Sequence, residues 1–456
     1  MRLSRRAVLT AAAVGLLPVG LAVAPGAPAA TPVFGNGTPT FVVSQAPSSL
    51  PGHDLAGEPS LGVNPRTGAA LYMAGASTYR LALNTASQPA TIGWSDASSP
   101  YSTINLDPIL ATDPVTGVTL AGGDTGACAV LSRSTDDGAT WRPSVPCTGV
   151  ADHPTVGFGP FAQPRPLGAS GDRIAYYCQQ QDLAVCSRSL DGGVTWSPGV
   201  SPTGCLSLFG HVKVGPDGTA YVPNGRDCVG ADGKLEVGGF ASTDNGLTWH
   251  SYGISGADLP GAGFDPSVGI TPDNTVYESF ARAGDYHPVV ASSGTHGATW
   301  SPMVDLAGTV SPPIVASTFQ TVVTGDNGRL AVAFLGTQTG TPGANPFTTG
   351  FHGVWNLFVS TSYDAGRTWT TSKVTSTPVQ RGEIDGGGTT TTGQRNLLDF
   401  MDASLTADGR VVVGYATGCN GACAGSGGTE AQSVDQWASA AVQTSGRGLY
   451  ARYDTF

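Results

Sequence analysis

Seven short segments of the chain share one pattern of polar and apolar positions. Each begins with a carboxylate, imidazole or amide side chain and continues as a short run rich in Val, Ile and Leu. In six of them a turn pair such as Asp217-Gly218 or Asn327-Gly328 comes next, followed by a further run of strand-forming residues. This pattern predicts seven hairpins, each opened by a polar residue. The segments are residues 58–63, 107–110, 153–158, 211–214, 265–270, 320–323 and 402–405.

An octapeptide of the form Ser-x-Asp-x-Gly-x-Thr-Trp recurs between these segments. Its copies span residues 134–141, 189–196, 242–249, 293–300 and 362–369, so their starts are 55, 53, 51 and 69 residues apart. A period near fifty indicates a repeat architecture. Ser and Asp oxygens accept backbone N–H bonds in a tight turn, and Gly supplies a positive φ. The fourth copy carries Thr295 in place of Asp, which predicts a looser turn.

The octapeptide is the Asp-box, and the chain resembles the Asp-box β-propellers, the superfamily that contains the sialidases and several other glycoside hydrolases. In that family the Asp-box joins the third and fourth strands of a blade, on the face away from the active site. The resemblance therefore implies structural roles for the Asp-box residues. These residues are Ser134, Asp136, Gly138, Trp141, Asp191, Gly193, Trp196, Asp244, Gly246, Trp249, Gly297, Trp300, Asp364, Gly366 and Trp369.

The predicted fold is all-β, a single β-propeller of four-stranded antiparallel blades over residues 30–456. Seven repeat units favour seven blades over six. Residues 41–43 would supply the last strand of the last blade, and residues 448–453 its third strand, so that the N-terminal strand closes the ring. The 65 Gly and 33 Pro residues exclude a helical bundle, because both residue types break helices.

Residues 1–29 have the features of a cleaved export signal. Arg5 and Arg6 precede a weakly apolar run that ends in Ala27-Pro28-Ala29, which resembles a twin-arginine signal. We therefore expect a secreted bacterial protein without a membrane anchor. The formal net charge of −11 makes nucleic acid an unsuitable partner.

Eight cysteines in an exported chain predict disulfide bonds. Cys128 and Cys147 flank one Asp-box turn almost symmetrically, and Cys419 and Cys423 would close a small loop. The spacing leaves three pairings open for the other four, which are Cys178, Cys186, Cys205 and Cys228. No Cys/His spacing matches a zinc site, and we expect neither a metal nor a cofactor.

The starts of the innermost strands of a propeller converge on one end of its central channel, here called the mouth. The polar residues at these strand starts would form a ring around the mouth. A ring of this kind can bind a cation, orient a sugar or supply an acid/base pair. Alternatively, its Asp-Pro and His-Pro pairs only shape the start of each strand. The predicted ring residues are Glu58, Asp107, His153, His211, Asp265, Gln320 and Asp402.

Sialidases hold the substrate carboxylate with three arginines and use a Tyr/Glu nucleophile pair with an Asp acid/base. Their early Phe/Tyr-Arg-Ile-Pro tetrapeptide is absent here, so no residue of this chain is assigned the role of its arginine. By position, Asp107, Asp265, Tyr277 and Glu278 are the catalytic candidates. Arg226, Arg282 and Arg395 join Glu58, His153, His211, Gln320 and Asp402 as candidates for substrate binding.

Three functions remain open at this point. The first is a secreted sialidase-like glycoside hydrolase, acting as a monomer on exterior glycans through the mouth. The second is a non-catalytic propeller that binds glycan or protein through the same loops, which the missing tetrapeptide favours. The third is an assembly scaffold. Three long insertions, near residues 336–353, 378–399 and 418–447, are expected on the mouth side as lids or specificity loops.

Overall fold

Each of the seven predicted segments contributes the innermost strand of an antiparallel sheet in the computed structural model. The structure describes residues 37–102, 107–124, 128–146, 152–180, 184–205, 210–229, 233–258, 265–384 and 396–454, without the side chains at 124, 226, 227 and 258. These residues lie in one compact unit, Val33–Phe456. The predicted export signal lies outside the described residues.

Successive sheets form the blades of a seven-bladed propeller. After the N-terminal strand β1 (Thr40–Gln45), the first three blades contain β2 (Ser60–Val63), β3 (Ala70–Ala74), β4 (Ser77–Asn84), β5 (Thr91–Asp96), β6 (Ile109–Thr112), β7 (Thr119–Asp124), β8 (Ala129–Ser134), β9 (Arg142–Ser144), β10 (Asp152–Pro160), β11 (Arg173–Gln180) and β12 (Ala184–Ser189). In blade three a bridge between Cys186 and Val200 takes the place of a fourth strand.

The other four blades repeat the same order. They contain β13 (Lys213–Val214), β14 (Ala220–Val229), β15 (Leu235–Ser242), β16 (His250–Asp258), β17 (Ser267–Ile270), β18 (Val276–Ala281), β19 (Pro288–Ser293), β20 (Val304–Asp305), β21 (Ala316–Thr324), β22 (Leu330–Thr337), β23 (Val354–Ser362), β24 (Thr370–Lys373), β25 (Gln380–Arg381), β26 (Asp402–Leu405), β27 (Val411–Thr417) and β28 (Trp437–Ser445). Among the described residues the helical elements are 3₁₀ turns at Ala307–Thr309, Glu430–Gln432 and Ala451–Tyr453.

The ring closes through the N-terminal strand, as predicted. Strand β1 pairs with β28, with Val42 opposite Val442, and completes blade seven in the order β1-β28-β27-β26. The innermost strands of neighbouring blades contact one another around the circle, including β26 with β2. Strand β1 thereby covers the edge of β28 that would otherwise be free for pairing.

The prediction for the third strand of blade seven was wrong. That strand is β28, whose small side chains Ala438, Ala440 and Ala441 are buried, so it lacks the bulky apolar pattern that marks the other strands. Residues 448–453 instead form a turn on the opposite face, where Arg329 and Arg447 both donate to the Asp454 carboxylate.

Four copies of the octapeptide form the turns between third and fourth strands, and the copy at residues 189–196 follows β12, ahead of the bridge to Val200. Because the third strand runs in the same direction as the first, these turns lie at the end of the propeller opposite the mouth. In the first copy Asp136 accepts hydrogen bonds from the Thr140 N–H at 2.8 Å and the Thr140 hydroxyl at 2.6 Å. The Ser134 hydroxyl accepts the Gly138 N–H at 2.9 Å. Each turn is thus satisfied by its own side chains.

Disulfide bonds join Cys178 to Cys186, Cys205 to Cys228 and Cys419 to Cys423. Cys147 lies outside the described residues, so the Cys128–Cys147 pairing stays a prediction. The described chain contains no helix of the length and apolar character that a membrane crossing requires.

Candidate functional site

The mouth is lined by the polar residues at which the innermost strands begin. Most of them are buried, with exposed fractions of 0% for Glu58, 3% for Asp402, 4% for Gln320 and 6% for Asp107 and for Asp265. Buried polar side chains need partners, because leaving them unsatisfied costs free energy. The contacts of each ring residue therefore separate structural roles from chemical ones.

Backbone conformation is unusual at three points of the ring. Glu58, His153 and Phe319 have φ values of 55°, 46° and 57°, in the left-handed region that non-glycine residues rarely adopt. The register of the sheet also shifts beside two of them, between Asp152 and Thr155 and between Thr318 and Thr321. Bulges and strained residues of this kind concentrate at functional sites, where they redirect a side chain.

Two ring carboxylates link one blade to the next. The Leu61 N–H of blade one donates to Asp402 Oδ2 at 3.0 Å, and the His153 N–H of blade three donates to Asp107 Oδ2 at 3.1 Å. At the next junction the Val212 N–H of blade four donates to the Thr155 hydroxyl of blade three at 2.8 Å. Asp402 and Asp107 therefore have a structural role at the mouth, since each joins its own blade to the next one.

Asp152 is a mouth carboxylate that the sequence analysis overlooked. It lies at the surface, directly precedes His153, and its Oδ1 accepts the His153 N–H at 3.1 Å, the same donor that the buried Asp107 accepts through Oδ2 at 3.1 Å. Burial raises the pKa of Asp152, the charge and hydrogen bond of Asp107 raise it further, and His153 opposes the rise. The signal in the sequence was the pair Asp152-His153 itself.

Asp399 is a second overlooked carboxylate, supplied by the connection between blades six and seven. Its N–H donates to Glu58 Oε1 at 3.1 Å, and its Oδ2 lies 3.7 Å from His153 Nε2. The next residue, Phe400, packs edge-on against the His211 ring at a centroid distance of 4.4 Å. Residues 396–401 thus cross the mouth and contact blades one, three and four.

His211 and Lys213 lie on the blade-four side of the same cluster. Burial lowers the pKa of His211 to about 4; Lys213 and His153 add to this effect, and Asp402 opposes it. The Lys213 ammonium lies 4.0 Å from Asp402 Oδ1. His211 is therefore a neutral imidazole at neutral pH.

Tyr277 and Glu278 do not lie together at the mouth. They are neighbours on β18, so their side chains point to opposite faces of blade five. Tyr277 packs with Leu330 and Phe358 of blade six. Glu278 is fully buried on the other side, where its Oε2 accepts the Tyr252 hydroxyl at 2.9 Å.

Arg282 lies at the rim of the mouth face and is already paired. It donates to Asp285 and, through Nη2, to Asp305 Oδ2 at 2.6 Å. The Arg226 side chain and Arg395 lie outside the described residues. Among the arginines that the structure describes, none makes a hydrogen bond or ion pair with a ring residue.

One group of described residues has the ligand atoms that a cation requires. Asp285, His287 and Asp305 each offer an atom within 4.8 Å of the others. Arg282 and the His287 ring already hold these carboxylates, with His287 Nδ1 2.9 Å from Asp305 Oδ2. Both carboxylates of this group therefore already have partners in the protein.

Asp265 and Gln320 complete the ring on the side of blades five and six. Both are buried, and the Gln320 amide donates to the Ser317 hydroxyl at 2.8 Å. The insertions between β22 and β23, between β24 and β26 and between β27 and β28 leave from the mouth side, because each follows a second or fourth strand. The Arg381 guanidinium joins two of them by donating to the Cys423 carbonyl at 2.9 Å.

Comparisons with known proteins return similar folds only. No protein-family model and no curated protein matches the chain. Solved structures that resemble it include the Hadza microbial sialidase Hz136, at 14% identity over 82% of this chain and 73% of that one, with a TM-score of 0.43.

Two further solved structures have other titles. The GH74 enzyme of Niastella koreensis is 18% identical over 80% of this chain, which spans about half (52%) of that enzyme, with a TM-score of 0.46. YCF48 bound to D1 peptide is 12% identical over 92% of this chain and 100% of that one, also with a TM-score of 0.46. Identities of this size leave function to be argued from the site itself.

Proposed function

We propose that this protein is an extracellular glycoside hydrolase of the sialidase-like kind, working at the mouth of the propeller with Asp152 as its general acid. The observation that carries the proposal is the Asp152–Asp107 pair, an exposed and a buried carboxyl group that both accept the His153 N–H at 3.1 Å. Burial and the neighbouring Asp107 raise the pKa of Asp152. An acid of this kind keeps its proton closer to neutral pH, which is what protonation of a departing sugar oxygen needs.

The surroundings of Asp152 suit a hydroxyl-rich ligand. His153, Lys213 and Asp399 present donors and acceptors around the same opening, and Phe400 adds an aromatic edge. Sugars offer many hydroxyl groups of both kinds, so a ring of mixed donors and acceptors can orient them. The proposed substrate class is an exterior glycan.

Two observations favour a second candidate, a non-catalytic glycan-binding propeller. Tyr277 and Glu278 are buried between blades, and Arg282 is neutralised by Asp285 and Asp305. Under this alternative the mouth polar groups bind a sugar and leave it intact.

Export is part of the proposal. The disulfide bonds fit an oxidising compartment outside the cytoplasm. The twin-arginine pattern at Arg5 and Arg6 would deliver the protein there already folded.

A hydrolysis screen of the purified, disulfide-intact protein tests the proposal. Fluorogenic 4-methylumbelliferyl glycosides, including a sialoside, would be incubated between pH 4 and pH 7, and the same protein applied to a glycan array. Release of fluorophore by the wild-type protein, together with a loss of activity in Asp152→Asn on an unactivated glycoside of the same sugar, supports the hydrolase. Array binding without release supports the binding propeller, and cleavage of the sialoside alone identifies the sugar as sialic acid.

A further inference from the structure

Resting on the proposed hydrolase, we infer that Asp399 is the second catalytic carboxylate of the mouth and that Glu58 is the residue that positions it. Glu58, the polar residue that the sequence pattern marks at the start of blade one, would then act by positioning Asp399 and would not contact the substrate. Three contacts carry the inference: one to the backbone of Asp399, one to its carboxylate and one to its neighbour Phe400.

The first contact fixes the backbone. Glu58 is 0% exposed and accepts the Asp399 N–H at 3.1 Å across the junction of blades one and seven. Both sides of this contact are strained, since Glu58 has a φ of 55° and Leu398 one of 62°. A group with no exposed surface cannot touch a substrate, whereas a carboxylate on a backbone N–H sets where the next side chain points.

The second contact places the carboxylate in the opening. Asp399 Oδ2 lies 3.7 Å from His153 Nε2, and both side chains keep 13% of their surface exposed. His153 follows Asp152, and its N–H donates to Asp152 Oδ1 at 3.1 Å. Asp152 and Asp399 therefore flank the same histidine, one beside its backbone and the other beside its ring.

The third contact holds the segment in place. Leu397 and Met401 are buried at 1% and 3% exposure in the core between blades six and seven, and Phe400 packs on the His211 ring. Asp399 thus projects from a residue run that is anchored on both sides. Catalytic groups need such support to keep a productive geometry.

The chemistry that follows uses one water molecule. Asp399 takes a proton from the water, whose oxygen lone pair forms a bond to the anomeric carbon. The bond between that carbon and the glycosidic oxygen breaks, its electron pair stays on the departing oxygen, and the Asp152 proton moves to that oxygen. The products are the free sugar and the alcohol, with Asp399 protonated and Asp152 ionised.

Two substrates of different leaving group separate the two carboxylates. Both are glycosides of the sugar that the wild-type protein releases in the screen, one with a 2,4-dinitrophenyl and one with a methyl leaving group. Asp152→Asn should lose about 10²–10⁴-fold in kcat on the methyl glycoside and far less on the dinitrophenyl glycoside, which needs no acid. Asp399→Ala should lose a similar factor on both, and azide should restore its activity on the dinitrophenyl glycoside.

Glu58 is tested by the size of its effect on kcat. Glu58→Ala should lower kcat about 10–100-fold with KM little changed, while Glu58→Gln, which keeps an acceptor for the Asp399 N–H, should recover most of the loss. Asp364→Asn, an Asp-box change on the opposite face, is the matched control. Thermal unfolding of every variant shows whether it is folded, and Asp399→Asn replaces Asp399→Ala if the latter is not.

The outcomes distinguish this inference from the proposal beneath it. If Asp152→Asn loses activity while folded Asp399 variants keep the wild-type kcat, the inference is wrong and the hydrolase stands. Equal losses in Glu58→Ala and Glu58→Gln would remove the positioning role. A wild-type protein that cleaves no glycoside of the panel overturns both.

Discussion

The two ends of the propeller use aspartate in opposite ways. In the Asp-box turns, burial acts to raise the pKa of Asp136, Asp191, Asp244 and Asp364, but hydrogen bonds from the Thr hydroxyl, the Thr N–H and the Ser hydroxyl outweigh it and lower the pKa. At the mouth, burial raises the pKa of Asp152, and the neighbouring Asp107 adds to the rise.

The difference teaches that hydrogen-bond donors decide what a carboxylate is for. An Asp-box carboxylate receives several donors from its own turn, so it stays ionised, spends its lone pairs on the backbone and holds the turn together. The mouth carboxyl group of Asp152 has another carboxyl group, that of Asp107, as its neighbour, and its pKa is raised. The residue type alone does not show whether an aspartate has a structural or a catalytic role, whereas its hydrogen-bond partners do.

The largest effect that would sharpen this contrast is on activity. Asp152→Asn should reduce kcat/KM on an unactivated glycoside by about 10²–10⁴-fold, because the amide has no proton of suitable acidity to give. Asp191→Asn makes the same chemical change in an Asp-box and should leave kcat/KM close to wild type. Equal losses in the two variants would break the contrast.

The next largest effect is on folding stability, with activity retained. Asp244→Ala removes the acceptor of the Ser242 hydroxyl and of the Leu247 and Thr248 N–H groups, and should cost about 1–3 kcal/mol. Thermal unfolding measures this cost, and activity below the transition should persist. Because the folded pKa of Asp244 is lowered, its contribution is present near neutral pH and declines as the pH falls below about 4. A stability difference that does not change with pH would contradict this reading.

A smaller effect is expected at Glu278, buried between blades four and five. Burial raises the pKa of this carboxyl group well above its usual range, and the Tyr252 hydroxyl opposes the rise only in part. In the unfolded chain the Glu278 carboxyl group ionises near pH 4.3. The stability that this one group contributes is therefore fully present below that pH and is lost as the pH rises. Glu278→Gln should therefore flatten the pH dependence of Tm between pH 4 and pH 8 and be the more stable protein at pH 7. Parallel curves would show that Glu278 is ionised in the fold.

The smallest predicted effect is a gain. In the fourth Asp-box the Thr295 hydroxyl accepts the Thr299 N–H at 2.9 Å, where the other copies use a carboxylate that also binds the Thr hydroxyl through a second oxygen. Thr295→Asp should add acceptor capacity and stabilise the protein by about 0.5–1.5 kcal/mol. Unchanged or lower Tm would mean that this turn depends on His296 and Asp217, which lie 2.8 Å apart, more than on its missing carboxylate.

Much of the architecture was readable from the sequence. The seven polar-then-apolar segments and the five Asp-boxes are local signals, because strand alternation and turn chemistry act within a few residues. They predicted the seven blades, and the N-terminal strand predicted the closure. Strand β28 was missed because three of its six buried residues are alanine and two are polar, so it carries little strand signal.

The site was less readable, since its key contacts join distant parts of the chain. The bond between Glu58 and the Asp399 N–H spans 341 positions, and the bond between Asp107 and His153 spans 46. Strand alternation places Tyr277 and Glu278 on opposite faces of β18, but their burial against blades six and four depended on the fold. Asp152 was visible as a neighbour of His153, but its pairing with Asp107 depended on the fold.

The measurement that tests the central claim most directly is the pH dependence of kcat/KM for the wild-type protein and for Asp107→Asn on the same glycoside. The account predicts hydrolysis by both, with the alkaline limb of the variant moved to lower pH, because removing the Asp107 charge lets Asp152 lose its proton more readily. An alkaline limb at the same pH in both proteins, or a folded wild-type protein that hydrolyses nothing, would contradict the claim that the mouth carboxylates carry the chemistry.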